Sequence, residues 1–380
     1  MKAIIIGGGI GGLAAAIAMR ARGIDADVYE RSPVLMEVGA GISLWPNAVK
    51  ALEQLGLGQD LRSISFQNPQ FYLRKWNGAI LSHTATVDLE RRFGGGVIIV
   101  HRAELLDMLA RCVGSEHFHL GRTCNGIQEH ANGVSAFFAN GEKAQADILI
   151  GADGLRSSVR AYLGHSDKPR YSGYTAWRSV ARFDATEVVA GETWGCGKRF
   201  GILPMGNGRI YWYATNNAPE GERDPNPNPQ ETLLSLFKGW HSPVENLIRA
   251  SGPSILRNDI YDREPLPEWG RGRASLLGDA AHPMTPDLGQ GACQAIEDAL
   301  QLAKSLASGP SEAASLRRYE AMRIERTKSI VLGSRRMGHL GQVSSPGWCR
   351  IRDLAVKLTP RAMSLRSFAP IIGYEIHLGG

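Results

Sequence analysis

Cysteine is scarce and unpatterned: Cys112, Cys124, Cys196, Cys293 and Cys349 are scattered, with no C-x-x-C pair among them. That argues against a disulfide framework and against zinc, so no metal site is expected and the thiols read as reduced, cytosolic ones. Long hydrophobic runs are missing too. No uninterrupted apolar stretch of about 18 residues occurs, so no membrane-spanning helix is expected. Like charges never run five or six in a row, and the formal net charge is only +6 over 380 residues, which speaks against a nucleic-acid partner. Low-complexity tracts and repeats are also absent. With 43% hydrophobic and 21% charged residues the chain is an ordinary globular protein, and its length exceeds a single core. Two domains, or one with an insertion, are therefore expected.

The start, Met1 to Met19, has a lysine before an apolar run, as a secretory signal would. Its glycines are periodic, and Arg20 and Arg22 follow the run instead of preceding it, so it reads as folded structure. Basic residues gather late: Arg335, Arg336, Arg350, Arg352, Lys357, Arg361 and Arg366 face only Asp353 among the acids. A solvated helical face is the first reading, with a membrane-surface or anionic-ligand role as the alternative.

Lys2 to Ile6 is a short strand-like run, Gly7 to Gly9 a turn, Leu13 to Ala21 an alanine-rich helix and Asp25 to Glu30 a second parallel strand. Strand-like pieces follow between Phe66 and Ile99, a helix over Arg102 to Cys112, and strands over Gly133 to Phe138 and Ala146 to Ile150. From Tyr171 to Ile260 strands dominate, interrupted by a Pro- and Asn-rich surface loop, Pro219 to Pro229, and closed by one helix over about Gln230 to Ala250. Ala274 to Gly278 is a buried-type strand, and the rest is helical with a break at Ser344 to Gly347.

Gly7, Gly9 and Gly12 form G-x-G-x-x-G at the first strand–helix junction, where a backbone without side chains can approach a pyrophosphate and a helix N-terminus offers free N–H groups. Glu30 closes the next strand 18 residues after Gly12, where a carboxylate meets an adenosine ribose. The same acid disfavours a 2′-phosphate, so FAD or NAD is expected here rather than NADP. Two further segments pair acids with glycines at strand ends: Gly151-Ala152-Asp153-Gly154, leading into Arg156 and Arg160, and Gly278-Asp279-Ala280-Ala281-His282-Pro283, continuing through Pro286 and Gly289-Gln290-Gly291. A helix N-terminus of the second kind can hold negative charge on a flavin ring.

With these three motifs in this order, the chain resembles the single-component class A flavoprotein aromatic hydroxylases, the family that includes para-hydroxybenzoate hydroxylase, over all but about its last 40 residues. Individual segments are similar to different members. Ile255-Leu256-Arg257 to Asp262-Arg263 and Gly278 to Asp298 look like zeaxanthin epoxidase. Trp194 to Arg199 and Gly338-His339-Leu340-Gly341 look like alkylquinolone 3-monooxygenase. Gly197-Lys198-Arg199, Tyr211 and Pro286-Asp287 look like FAD-dependent urate hydroxylase.

The resemblance implies an α/β fold with a Rossmann-like, non-contiguous FAD-binding domain (1–70, 99–170 and 266–330), a β-rich substrate domain (71–98 and 171–265) and a helical C-terminal segment (331–380). It implies tightly bound FAD, transient NADH or NADPH, dioxygen, a small aromatic or heteroaromatic substrate, and a monomer or homodimer. Hydroxylation through a C4a-hydroperoxyflavin is the implied activity; alkene epoxidation, or flavin binding without turnover, is the alternative. Gly7, Gly9, Gly12, Glu30 and Arg31 would bind the ADP half of FAD, with Arg102 near the pyrophosphate. Asp153 would serve FAD and the passage of NAD(P)H, Asp279 a ribityl hydroxyl, and Gly289, Gln290 and Gly291 the isoalloxazine edge.

Arg199, Tyr211 and Tyr213, on neighbouring predicted strands, are candidates to hold a substrate anion and relay its proton. Asp287 is the candidate base. The plain alternatives are packing for the tyrosines, a surface position for Arg199 and a helix N-cap for Asp287. Trp45 and Pro46, after Gly39 to Gly41, are expected near the flavin or substrate, His282 in a structural role and Trp177 in the core.

Overall fold

The computed structural model describes residues 1–35, 40–184, 188–225, 228–252 and 255–378. Gly39 and two residues of the 219–229 loop, Asn226 and Pro227, lie outside them.

A five-stranded parallel sheet runs in the order Ala274–Leu276, Ile148–Gly151, Lys2–Ile6, Asp25–Tyr29, Phe118–His119. The strands Lys2–Ile6 and Ile148–Gly151 read as apolar runs because both faces are covered, by helices on one side and by the small sheet of Lys143–Ala146, Gly133–Phe138 and Cys124–His130 on the other. The helix Ile10–Arg20 buries Leu13, Ala14, Ala15, Ala16, Ala18 and Met19, and its small side chains let it lie close to the helix Gly291–Ser308. This is the α/β, Rossmann-like body.

A separate seven-stranded sheet follows the order Leu256–Asp262, Arg170–Arg182, Arg209–Asn217, Lys198–Pro204, Gly191–Trp194, Gln70–Lys75, Ile80–Ala85. Side chains alternate between its faces. Phe200, Ile202, Ile210 and Trp212 point into a core closed by Phe237, Leu247 and Ile248, which also holds Trp177. The opposite face carries the intervening residues, paired in register as Arg199 with Thr215, Gly201 with Tyr213 and Leu203 with Tyr211. Two small antiparallel sheets complete the strands: Gly41–Leu44, Ile98–His101, Ser65–Gln67, and Lys143–Ala146, Gly133–Phe138, Cys124–His130.

Three departures from the sequence reading have physical causes. The single helix expected over 230–250 is two, Pro229–Leu236 and Val244–Ala250. Gly239 at φ +77° and Pro243 separate them, and neither residue suits a helix interior. A helix, Thr86–Phe93, stands inside the region read as strands, ended by left-handed Gly94 at φ +71°. Lastly, one 30-residue helix, Glu312–Gly341, runs unbroken through position 331, and the chain then folds back as Pro346–Leu358 and Arg361–Ile372.

Candidate active site

All three acid-and-glycine motifs follow strands of the one parallel sheet, and parallel strands deliver them to the same edge. Gly7 takes φ +112°, and a side chain there would stand 2.3 Å from the Ala152 carbonyl oxygen. A Cβ on Gly12 would meet the Gly7 carbonyl oxygen at 2.0 Å, so these two glycines close the turn. Gly9 differs: nothing lies within 4 Å of its missing Cβ, and that open flank is where a phosphate can approach. Glu30 accepts from the backbone N–H of Gly8 (2.7 Å) and of Ser32 (2.9 Å). A cavity of about 250 Å³ opens here, lined by Gly7, Gly9, Glu30, Arg31, Asp153 and Arg156 among others.

Asp153 faces this cavity, but its carboxylate also accepts from Ser157 Oγ and from the N–H groups of Ser158 (2.7 Å) and Val159 (3.3 Å). It thus organises the short helix Ser158–Tyr162. From that helix Arg160, itself buried, pairs with Asp167 (2.8 Å) and donates to the carbonyls of Ala280 (3.0 Å) and Ala281 (3.1 Å). The second and third motifs are therefore tied together by a direct contact.

Asp279 follows the strand Ala274–Leu276, in the turn Gly278–Ala280. The residue is exposed although protein surrounds it closely, and that enclosure pushes its carboxyl above the usual carboxylate range, against the pull of His282 and Arg102. Arg102 opens the helix Arg102–Val113; burial lowers its pKa and Asp279 opposes that shift. Arg178, which sequence reasoning missed, lies near both Arg102 and Tyr211. Only the sheet register brings it there, because it is the cross-strand partner of Tyr213.

The turn Pro286–Leu288 ends in left-handed Gly289 (φ +62°), beside Trp45. Gln290 precedes the helix Gly291–Ser308, and its side-chain oxygen accepts from Asn47 (3.1 Å) and Gln294 (3.0 Å). Its amide nitrogen and Trp45 Nε1 are buried donors without a protein acceptor. His282 is a structural residue: its Nε2 lies 2.6 Å from Asp298 Oδ2, both buried.

Arg199 and Asp287 form an enclosed ion pair at 2.6 Å. Glu192 shares the guanidinium at 3.2 Å, Gln342 accepts from Arg199 Nε at 3.0 Å, and the Tyr174 hydroxyl donates to Asp287 at 2.8 Å. Burial opposes the charge on Arg199, but Glu192 and Asp287 outweigh it and raise its pKa. Burial likewise raises Glu192 and Tyr213, which lie against each other. Tyr211 occupies the same sheet face one register position further on, packed on Gly41, and stays outside the ion-pair cluster. Neither Asp287 nor Arg199 holds the plain role weighed for it: Asp287 caps no helix with its side chain, and Arg199 is 3% exposed.

The end of the long helix roofs this cluster. A Cβ on Gly338 would stand 2.6 Å from Asp287 Oδ2, and one on Gly341 would stand 2.9 Å from Arg199 Cδ. Tyr174, Glu192 and Gln342 were not read from the sequence. Only for Gln342 was there a signal, the Gly338-to-Gly341 motif that precedes it.

A Rossmann-like body with an open glycine cradle, and a polar cluster on an opposing sheet, are the features of a nucleotide-dependent oxidoreductase. The FAD binding domain family matches residues 1–334, and the chain belongs to that family; it is an FAD-dependent monooxygenase of the class A type. It is 42% identical to the aurachin C monooxygenase/isomerase of Stigmatella aurantiaca, over 94% of each chain. It is 38% identical to an FAD-dependent urate hydroxylase of Klebsiella pneumoniae, over 88% of this chain and 89% of that one. The crystal structure of Klebsiella pneumoniae HpxO complexed with FAD and uric acid superposes with a TM-score of 0.91 at 34% identity, covering 98% of this chain and 96% of that one. The open flank of Gly9 and the two buried donors beside Gly289 suit a bound flavin dinucleotide.

Proposed function

We propose that the protein hydroxylates an electron-rich heteroaromatic or phenolic small molecule bearing an acidic N–H or O–H, and that Asp287 and Arg199 hold that group and take its proton. Bound FAD, reduced by NADH or NADPH, supplies the activation of dioxygen, one oxygen atom going to the substrate and the other to water. The enclosed Arg199–Asp287 pair carries the reading. Each Asp287 oxygen already accepts one hydrogen bond, from Arg199 or from Tyr174, and each keeps a lone pair for a substrate N–H or O–H. Removing that proton enriches the ring in electrons, and the Arg199 guanidinium stabilises the resulting anion. Tyr211, beside Arg178, is assigned a proton-relay role on the same face.

In the cofactor site Gly7, Gly9, Gly12, Glu30 and Arg31 are assigned to the ADP half and Arg102 to the pyrophosphate. Asp279 is assigned to a ribityl hydroxyl, and Gly289, Gln290 and Gly291 to the ring edge. Asp153 acts by shaping the cavity wall. Relatives named for urate and for 3-amino-4-hydroxybenzoate support the substrate class. An alkene epoxidase needs an apolar pocket, which a cluster of two acids on one arginine does not provide.

The test is substrate-stimulated NAD(P)H oxidation and product mass over a panel of such rings. Asp287→Asn should retain FAD and lose about 100-fold or more in hydroxylation. Wild-type turnover by that variant would overturn the assignment. Glu30→Ala and Asp279→Ala should purify with less bound FAD, read from flavin absorbance; full retention in both would contradict their roles.

A further inference from the structure

The helix Pro346–Leu358 is packed inside out. Its inward residues are Cys349, Arg352 and Asp353, with Arg352 donating to the Gly195 carbonyl (3.1 Å) and pairing with Asp353 (2.9 Å). Its large apolar residues face outward: Trp348 is 65% exposed, Ile351 57%, Leu354 57% and Leu358 70%. Spacings of three, three and four residues set them on one stripe. Surface helices of globular proteins show the reverse arrangement. A groove of about 490 Å³, lined by Leu340, Val343, Trp348, Ile351 and Ala355 among others, continues the apolar surface. Met363, 64% exposed, extends it onto the next helix.

Cations border this surface. Arg350, Lys357, Arg361 and Arg366 are exposed, and the only acid between residues 344 and 372 is the inward Asp353. From the neighbouring elements, Lys75 lies 3.7 Å from Asp353, and Asp88 pairs with Arg361. An apolar stripe rimmed by cations is complementary to a layer with an apolar interior and an anionic rim. A second copy docked by two-fold symmetry would bring the same cations face to face. No helix among the described residues is long and apolar enough to cross a membrane, so the fit is to a surface.

We propose that this face seats on an anionic phospholipid bilayer, with the helix Pro346–Leu358 lying in the interfacial plane and Trp348 at headgroup level. The test is flotation of the full-length holoenzyme with vesicles of phosphatidylcholine containing about 30% phosphatidylglycerol, against phosphatidylcholine alone. The protein should float with the anionic vesicles and far less with the neutral ones. Leu354→Glu/Leu358→Glu should cut binding at least about tenfold while FAD content and thermal midpoint hold, because both side chains are exposed. Arg350→Gln/Lys357→Gln should weaken binding to anionic vesicles about tenfold. Should the glutamate pair fail to hold FAD, quenching by brominated lipid decides instead: the wild type should be quenched and Trp348→Phe should lose that component. No flotation at low salt, or flotation indifferent to the glutamate pair, would overturn the proposal. So would a dimer in solution that the glutamate pair dissolves without any vesicle binding, since the face then belongs to a second copy.

Discussion

Glu297 and Asp298, on the helix Gly291–Ser308, face as many arginines as there are acids, whereas Glu192 and Asp287 share one between them. In the first cluster Arg323 meets Asp298 at 2.6 Å and Glu297 at 2.6 Å, Arg326 meets Glu297 at 2.8 Å, and His282 meets Asp298 at 2.6 Å. Charges are matched, and the helices Gly291–Ser308 and Glu312–Gly341 are locked together. In the second cluster two acids share Arg199, one more than it can neutralise, and burial raises the pKa of Glu192. A matched buried cluster clamps; in the unmatched one burial disfavours the Glu192 carboxylate and leaves the Arg199 charge to Asp287.

The largest effect expected from breaking this contrast is on stability. Arg323→Met takes a cation from two buried acids, leaving Glu297 to Arg326 and Asp298 to His282, and should cost about 3 kcal/mol in denaturant unfolding, while hydroxylation per folded, FAD-loaded molecule holds. Equal damage to both would mean that the first cluster also serves the reaction.

Acid titration separates the clusters next. Burial works against the Asp298 carboxylate, but His282 and Arg323 outweigh it and hold its pKa at about 2, from an ordinary 3.8. A pKa depressed in the folded state stabilises above the unfolded value and is lost as pH falls through the folded one. About 2 kcal/mol should therefore disappear between roughly pH 4 and pH 2, measured by thermal unfolding, and Asp298→Asn should flatten that step.

The smallest effect is the sharpest. If Glu192 carries the extra proton, Glu192→Gln replaces one neutral group with another and should change stability by no more than about 0.5 kcal/mol. Activity should stay within about threefold of the wild type. A loss as large as that of Asp287→Asn would show that Glu192 acts as an anion.

What could be read in advance follows the range over which each constraint acts. The glycine turn and the place of Glu30 beside it were legible because their spacing is local; the cofactor roles proposed for Glu30 and Asp279 rest on that same spacing. Arg199, Tyr211 and Asp287 were legible as residue types. Their grouping was not: Arg199 and Asp287 are 88 positions apart, and Tyr174 and Asp287 113 apart. Such meetings depend on strand register and on the return of the long helix. The helix Thr86–Phe93 was missed because it is only two turns long and polar on average, although Thr86, Leu89 and Phe93 do share a buried face. The inverted face of Pro346–Leu358 was hidden for the opposite reason: the stripe is plain in the sequence, but which side turns inward is a tertiary fact.

Gly338 and Gly341 put bare backbone, rather than side chains, directly over Asp287 and Arg199. The ceiling of the site is thus the far end of a 30-residue rod whose other turns are clamped through Arg323 and Arg326. Clearance above the ion pair is set by how that rod is shimmed along its length. On the proposed reading of the pair as the substrate contact, tuning which rings fit is open to substitutions several turns away, as well as to changes at the pair itself.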